Sequence, residues 1–260
     1  MIHELFDLSG KSALITGGSK GIGKAVARGF AETGADVAIC ARHEDELAAA
    51  AKEIGEGLDA QVVYRVCDMT DREAVDQLAQ WAVATLGKVD ILFNNAGSNE
   101  PADLIEQGQE SWDRIMELNL TSCMRLSRAI APGMIERKWG RIIFTSSIMG
   151  FQSFAGRASY SATKTALLGM ARAYALELGK HGITVNCLAP GPVMTDLPMS
   201  LLSDEKKQEF AARTAVKRWG QVEDMVGPML LLASDAGAFI SGTAILADGG
   251  MFARTFNDDD

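Results

Sequence analysis

Tyr160 and Lys164 stand four residues apart in the run Ser159-Tyr160-Ser161-Ala162-Thr163-Lys164, and Ser147 lies thirteen residues before the tyrosine. On a helix, positions i and i+4 share a face, so an ammonium group there can lie beside a phenol. A free tyrosine titrates near pH ~10, too high to exchange a proton at neutral pH. A nearby cation favours the tyrosinate, which makes such a pair a candidate general acid/base. The pair by itself is a weak signal, because Tyr and Lys also meet at this spacing on solvated helix faces.

A second chemical signal lies near the N-terminus. The apolar run Lys-Ser-Ala-Leu-Ile-Thr at 11–16 leads into Gly17-Gly18-Ser19-Lys20-Gly21-Ile22-Gly23 and then into an amphipathic stretch at 24–33. Strand, glycine turn and helix in that order are the layout of a nucleotide site. The glycines let the backbone approach a pyrophosphate, and the helix N-terminus offers free N–H groups and the positive end of its dipole. A tight strand-to-helix connection with no ligand would use the same residues.

The elements that must position these groups alternate along the chain. Strand-like runs fall at 13–16, 37–40, 62–66, 91–94, 141–145, 184–188 and 244–246, with helical stretches between them. Val75, Leu78, Ala79, Ala82 and Leu86 mark one such helix by their spacing. This alternation predicts an α/β fold, a doubly wound parallel sheet of seven strands with helices on both faces. Gly17, Asn94, Ser147 and Pro190 each follow or end a predicted strand. All four should therefore open onto one crevice beyond the carboxyl ends of the strands.

The ordered set Thr16-Gly17-x-x-x-Gly21-x-Gly23, Asn94-Asn95-Ala96-Gly97, Asn119, Ser147, Tyr160-x-x-x-Lys164 and Pro190-Gly191 resembles the short-chain dehydrogenase/reductases. The resemblance runs from about residue 8 to residue 250. It implies a single Rossmann-type domain over 1–260, with a mobile substrate lid at about 195–210. It also implies hydride transfer between a nicotinamide and a carbonyl. In that scheme Ser147 orients the carbonyl, Tyr160 exchanges the proton, Lys164 assists it and bonds the nicotinamide ribose, and Asn119 holds a water leading to solvent. Ser146 is adjacent to Ser147 and stays open as an alternative; the thirteen-residue offset favours Ser147. Asn119 by itself would also read as a helix residue satisfied locally.

The same resemblance implies cofactor contacts at Gly17, Ser19, Lys20, Gly21, Ile22 and Gly23 and at Asn95, Ala96 and Gly97. It extends them to Tyr160, Lys164, Pro190, Gly191, Val193 and Thr195. Asp68 and Met69 would lie near the adenine; Asp68 would otherwise cap the helix starting near Asp71. NAD sites place an acid at the end of the second strand. Here Ala41 stands at that point and Arg42 follows it. An arginine grips a phosphate with a charged fork, and Lys20 can add a second cation. NADP(H) is therefore expected over NAD(H). Arg42 would otherwise be an ordinary residue near Glu44 and Asp45.

Composition narrows the partners. The 260 residues are 47% hydrophobic with a formal net charge of −9, which argues against nucleic acid and anionic membranes. No apolar run is long enough to span a bilayer, and residues 1–7, with two acids and no basic segment, do not read as a signal peptide. The four cysteines lack C-x-x-C spacing and the three histidines are scattered. No disulfide and no metal site is expected, and the setting reads as cytoplasmic.

The substrate is read least firmly. Ile148, Met149, Phe151, Phe154, Met194, Leu197 and Met199 suggest an apolar wall, with Gln152 and Glu100 as polar contacts. A ketone or secondary alcohol with a hydrophobic body fits such a wall. The chain also resembles 3-oxoacyl-carrier-protein reductases, with Arg137 and Lys138 as carrier contacts, although Leu176 stands where many of those carry arginine. It resembles gluconate and polyol dehydrogenases too, in Lys217-Arg218-Trp219-Gly220 and Ala247-Asp248-Gly249-Gly250. A non-catalytic cofactor sensor would be marked by loss of the serine, tyrosine or lysine, and all three are present. The resemblance implies a homotetramer built on helices near 112–130 and 158–179 and on the last strand. The tail 257–260 reads as solvated.

Overall fold

The computed structural model describes residues 1–195 and 203–253. A short helix α1 (Ile2–Phe6) precedes β1 (Ser12–Thr16), α2 (Gly21–Glu32), β2 (Asp36–Ala41), α3 (Glu44–Gly55), β3 (Val62–Val66), α4 (Arg72–Leu86) and β4 (Ile91–Asn94). Then follow α5 (Gln109–Met116), α6 (Ser122–Arg137), β5 (Gly140–Thr145), α7 (Ala158–Leu178), β6 (Ile183–Pro190), α8 (Asp204–Arg213), α9 (Val226–Ala233) and β7 (Ala244–Ala247). The seven strands form one sheet in the order β3-β2-β1-β4-β5-β6-β7, and every pair is parallel. Each lies within two residues of its predicted limits.

A parallel sheet is buried on both faces, so its strands are apolar throughout rather than alternating. β1 shows the consequence. Ala13 and Ile15 join one core with Val26, Phe30 and Met229 of α2 and α9, while Leu14 joins the other with Leu126 of α6 and Leu167 of α7. The four cysteines are buried and unpaired. Loss of solvent pushes the thiols of Cys67 and Cys123 up to about 11 and that of Cys187 to about 12, and raises Cys40 further.

Two helical regions differ from the sequence expectation. The helix expected over 112–130 is two α-helices joined by a π-helical turn, Glu117–Thr121. The Asn119 amide explains the wider turn, because it bonds Ser98 and Thr163 outside the helix. Arg72 also forks onto the Glu117 carboxylate (3.0 and 2.7 Å). Within the stretch 195–210, which the resemblance makes a mobile lid, α8 begins at Asp204. Ser203 caps it through Lys206 N, and Asp204 and Glu205 occupy the first turn, where acids favour helix. Residues 196–202 and the tail 257–260 lie outside the described residues.

The turn from β1 into α2 depends on two glycines. Gly17 has φ +67°, in the left-handed region that glycine adopts without strain. A Cβ on Gly23 would run into the Gly17 carbonyl oxygen and lie 2.6 Å from Asn95 Nδ2. Gly23→Ala is expected to cost about 1–3 kcal/mol, read as a lower urea midpoint at unchanged slope; a wild-type midpoint would show that the turn relaxes freely. All four thiols should resist Ellman's reagent at mildly alkaline pH until the protein is denatured. Rapid labelling of the native chain would contradict their burial.

Candidate active site

The carboxyl ends of β1, β4, β5 and β6 share one edge of the sheet, and the residues expected at the crevice gather there. The N-cap of α2, Lys20, makes no side-chain cap, and no acid stands in the first turn. The N–H groups of Gly21, Ile22 and Gly23 therefore lack a carbonyl one turn back. Asn95 Nδ2 donates to the carbonyls of Thr16 (3.0 Å) and Gly17 (3.2 Å). The Thr16 hydroxyl accepts from Asn95 N and Ala96 N (3.0 and 2.9 Å). These four bonds hold the glycine turn against the segment 95–97.

Lys164 is 3% exposed. Its ammonium donates to the Thr145 carbonyl (2.6 Å) and lies 5.4 Å from the centre of the Tyr160 ring. The two serines separate by hydrogen bonding. Ser146 Oγ donates to the Lys164 carbonyl (2.8 Å), so its proton is spent on α7. Ser147 Oγ accepts from Met149 N (3.1 Å), which leaves its own proton free to donate. Asn119 is buried in the π-helical turn; its amide donates to Ser98 O (2.9 Å) and Thr163 Oγ1 (3.2 Å) and accepts from Ser98 N (2.9 Å). A Cβ on Gly97 would lie 3.1 Å from Asn119 Oδ1 and 3.5 Å from Lys164 Nζ. Gly97, Asn119 and Lys164 thus converge.

At the far end of the crevice, Gly18 N donates to Cys40 O (3.1 Å) and so ties the glycine turn to the end of β2. Arg42 is exposed, with no side-chain partner among the described residues. Lys20 already has one, Glu46 (3.6 Å). Asp68 does not cap α4: it accepts from Thr70 N and Oγ1 (2.9 and 2.8 Å), and Asp71 caps the helix through Glu73 N and Ala74 N. Met69 packs its sulfur between Cys40 and Cys67. Pro190 ends β6, and Gly191 N donates to Ala247 O. Met194 N donates to Gly220 O, and Gly220 N to Pro192 O. In that parallel bridge the N–H and C=O of Val193 face away from Gly220 and have no partner among the described residues. The Thr195 methyl lies 3.2 Å from where a Cβ on Gly21 would stand.

The expected substrate wall is only partly assembled. Ile148 is buried, while Phe151 and Met194 are exposed. Phe151 meets Phe252 (5.5 Å between ring centres), and Phe154 meets Phe210 of α8 (6.3 Å). Leu197 and Met199 lie outside the described residues. Glu100 is not a free polar contact, because Arg114 and Ser111 hold its carboxylate and lower its pKa. Arg137 and Lys138 do not flank the crevice. Arg137 bonds Asp90 and Val89 ahead of β4, at the amino edge of the sheet. The six residues of β5 separate that edge from Ser146 by about 20 Å. Thr16, which opens the glycine motif, holds the 95–97 segment through its hydroxyl. Ser98, Thr145 and Thr163 are not singled out by the sequence; of these only Thr163, beside Lys164, has a local cue.

Among the described residues no cluster of three metal-ligating side chains occurs, and no helix is long and apolar enough to cross a membrane. The short chain dehydrogenase family matches residues 11–206. The chain is 38% identical over 256 residues to 2-dehydro-3-deoxy-D-gluconate 5-dehydrogenase of Pseudoalteromonas atlantica, covering 96% of this chain and 99% of that one. It is 36% identical over 246 residues to 3-oxoacyl-[acyl-carrier-protein] reductase FabG of Escherichia coli, covering 95% and 99%. A solved gluconate 5-dehydrogenase from Burkholderia cenocepacia, in complex with NADP and tartrate, superposes with TM-score 0.92 at 33% identity, covering 98% and 100%. With the parallel seven-stranded sheet and the crevice at its carboxyl edge, these matches make the chain a member of the short-chain dehydrogenase/reductase family.

Proposed function

We propose that this chain is an NADP(H)-preferring oxidoreductase that interconverts a ketone and a secondary alcohol, with Tyr160 as general acid/base. The observation that carries the reading is the buried Lys164 ammonium, hydrogen-bonded to Thr145 O one helical turn from the Tyr160 phenol. A cation in that position stabilises the tyrosinate that remains when the proton has gone to a carbonyl oxygen. Ser147, with its proton free, donates to the same oxygen and orients it. Thr163 donates to Tyr160 O (2.7 Å) and accepts from Asn119, so Asn119 stays fixed beside Lys164, where the resemblance gives it a water link to solvent.

The cradle fits a dinucleotide. The uncapped start of α2 and the approach that Gly17 and Gly23 permit suit a pyrophosphate held by Gly17, Ser19, Lys20, Gly21, Ile22 and Gly23. Arg42, unpaired among the described residues, and Lys20 would hold a 2′-phosphate; Asp68 and Met69 would flank the adenine. Asn95, Ala96, Gly97, Pro190 and Gly191 would line the cofactor's path, with the Val193 backbone and Thr195 at the nicotinamide end. When bound, the nicotinamide supplies or takes up the hydride.

The chain is read as one cytoplasmic domain, in keeping with four free thiols; most of the lid expected at about 195–210 before α8 lies outside the described residues. The names of relatives leave a sugar acid and a 3-oxoacyl carrier thioester as alternative substrates. The carrier reading loses the support expected from Arg137 and Lys138. Bare apolar side chains at Leu176, Phe239 and Leu246 support a homotetramer through α7 and the β7 edge.

NADPH consumption across acetoacetyl thioesters, bulky cyclic ketones, α-diketones and keto sugars should reveal one turned-over class. Tyr160→Phe should lower kcat/KM by about 10²- to 10⁴-fold with NADPH still bound. Equal rates in the variant would remove Tyr160 from the chemistry. Ser147→Ala should lose rate, whereas Ser146→Ala should mainly lose stability; the opposite pattern would move the donor to Ser146. Light scattering should give a multiple of the 27.8 kDa chain, and a lone monomer would refute the assembly.

A further inference from the structure

Charges of both signs meet at the adenosine end of the crevice. The bond from Gly18 N to Cys40 O brings the glycine turn beside the exit of β2. Lys20 on that turn therefore faces the start of α3, whose first turn carries Glu44, Asp45 and Glu46. Lys20 Nζ lies 3.6 Å from Glu46 Oε2, with side chains 59% and 49% exposed. Arg42 stands four residues before Glu46 in the chain and has no side-chain partner among the described residues. Of the two cations read as holding a 2′-phosphate, one lacks a partner among the described residues and the other is already engaged by a carboxylate.

Building on the NADP(H) reading above, we propose that Glu46 is a specificity-determining residue that weakens the enzyme's preference for NADP(H) over NAD(H). Its carboxylate competes with the 2′-phosphate for Lys20 and repels the phosphate directly. The ribose of NAD(H) carries only a hydroxyl at that position, so its binding feels neither effect. An ion pair as exposed as Lys20–Glu46 contributes little to folding. Removing its acid should leave the fold intact while freeing a full positive charge for the phosphate. Both effects are electrostatic and near the surface, so salt screens them.

The test is calorimetric titration of NADPH and NADH into wild type, Glu46→Gln, Lys20→Met and the double variant, at low and high salt. Glu46→Gln should tighten NADPH about three- to tenfold at low salt and leave NADH within about twofold. The gain should shrink at high salt, and it should also shrink in the Lys20→Met background, where only the direct repulsion is left to relieve. Unchanged NADPH binding, equal tightening of both cofactors, or a gain undiminished by the loss of Lys20 would each overturn the proposal. The NADP(H) preference fails separately: wild type would then bind NADH more tightly, and Arg42→Ala would leave NADPH unchanged. A gain confined to NADPH in Glu46→Gln would still support the role of Glu46.

Discussion

At the switch point between β1 and β4 the chain leaves the sheet toward opposite faces, and the strand ends must be held in register across the gap. Asn95 does this with one side chain. Its amide nitrogen bonds the carbonyls of Thr16 and Gly17, and its oxygen accepts from the Thr145 hydroxyl (3.2 Å). The ends of β1, β4 and β5 are thereby joined. The carbonyl of the same Thr145 holds Lys164. One amide thus links the turn that would bind pyrophosphate to the lysine that would assist proton transfer. A half-buried amide that makes three hydrogen bonds is stiff, and hydride transfer between two bound partners depends on such stiffness.

Neighbouring residues take different work because the backbone points them apart. Ser146 turns inward to the α7 carbonyl at Lys164, while Ser147 starts the short 3₁₀ turn 148–150 and keeps its proton. Tyr160 and Thr163 also divide their roles. The phenol is left for the crevice, and the Thr163 hydroxyl ties the Tyr160 carbonyl to Asn119. The π-helical turn belongs to this arrangement, because a regular α-turn there would not carry the Asn119 amide to both Ser98 and Thr163. Wide turns of this kind concentrate at functional positions.

Around the crevice most cations are spoken for. Arg114 is held by Glu100, Arg218 by Asp224 and Lys20 by Glu46. Arg42 is exposed and Lys164 is buried, and neither has a carboxylate partner among the described residues. These two stand where the phosphate and the phenol would be, at opposite ends of the cofactor's path. An anion arriving there meets charge that has not been neutralised.

The strands, their parallel order and the glycine turn were legible in the sequence because they depend on local signals. Apolar runs, glycines and helical spacing act over a few residues, and the Tyr160–Lys164 pair is set by one turn of helix. The amide bonds of Asn119 reach 21 and 44 residues along the chain, and no local pattern encodes such partners. For the same reason the π-helical turn and the separate duties of Ser146 and Ser147 emerged only in three dimensions. Lys20 was readable as a cation near the cofactor, but its pairing with Glu46 was not. Residue types and short spacings determined which chemistry the chain can hold. The approach of distant segments decided which donors are spent, which charges are free and which side chains face the crevice, because hydrogen bonds and ion pairs act over ångströms of space rather than over positions in a sequence.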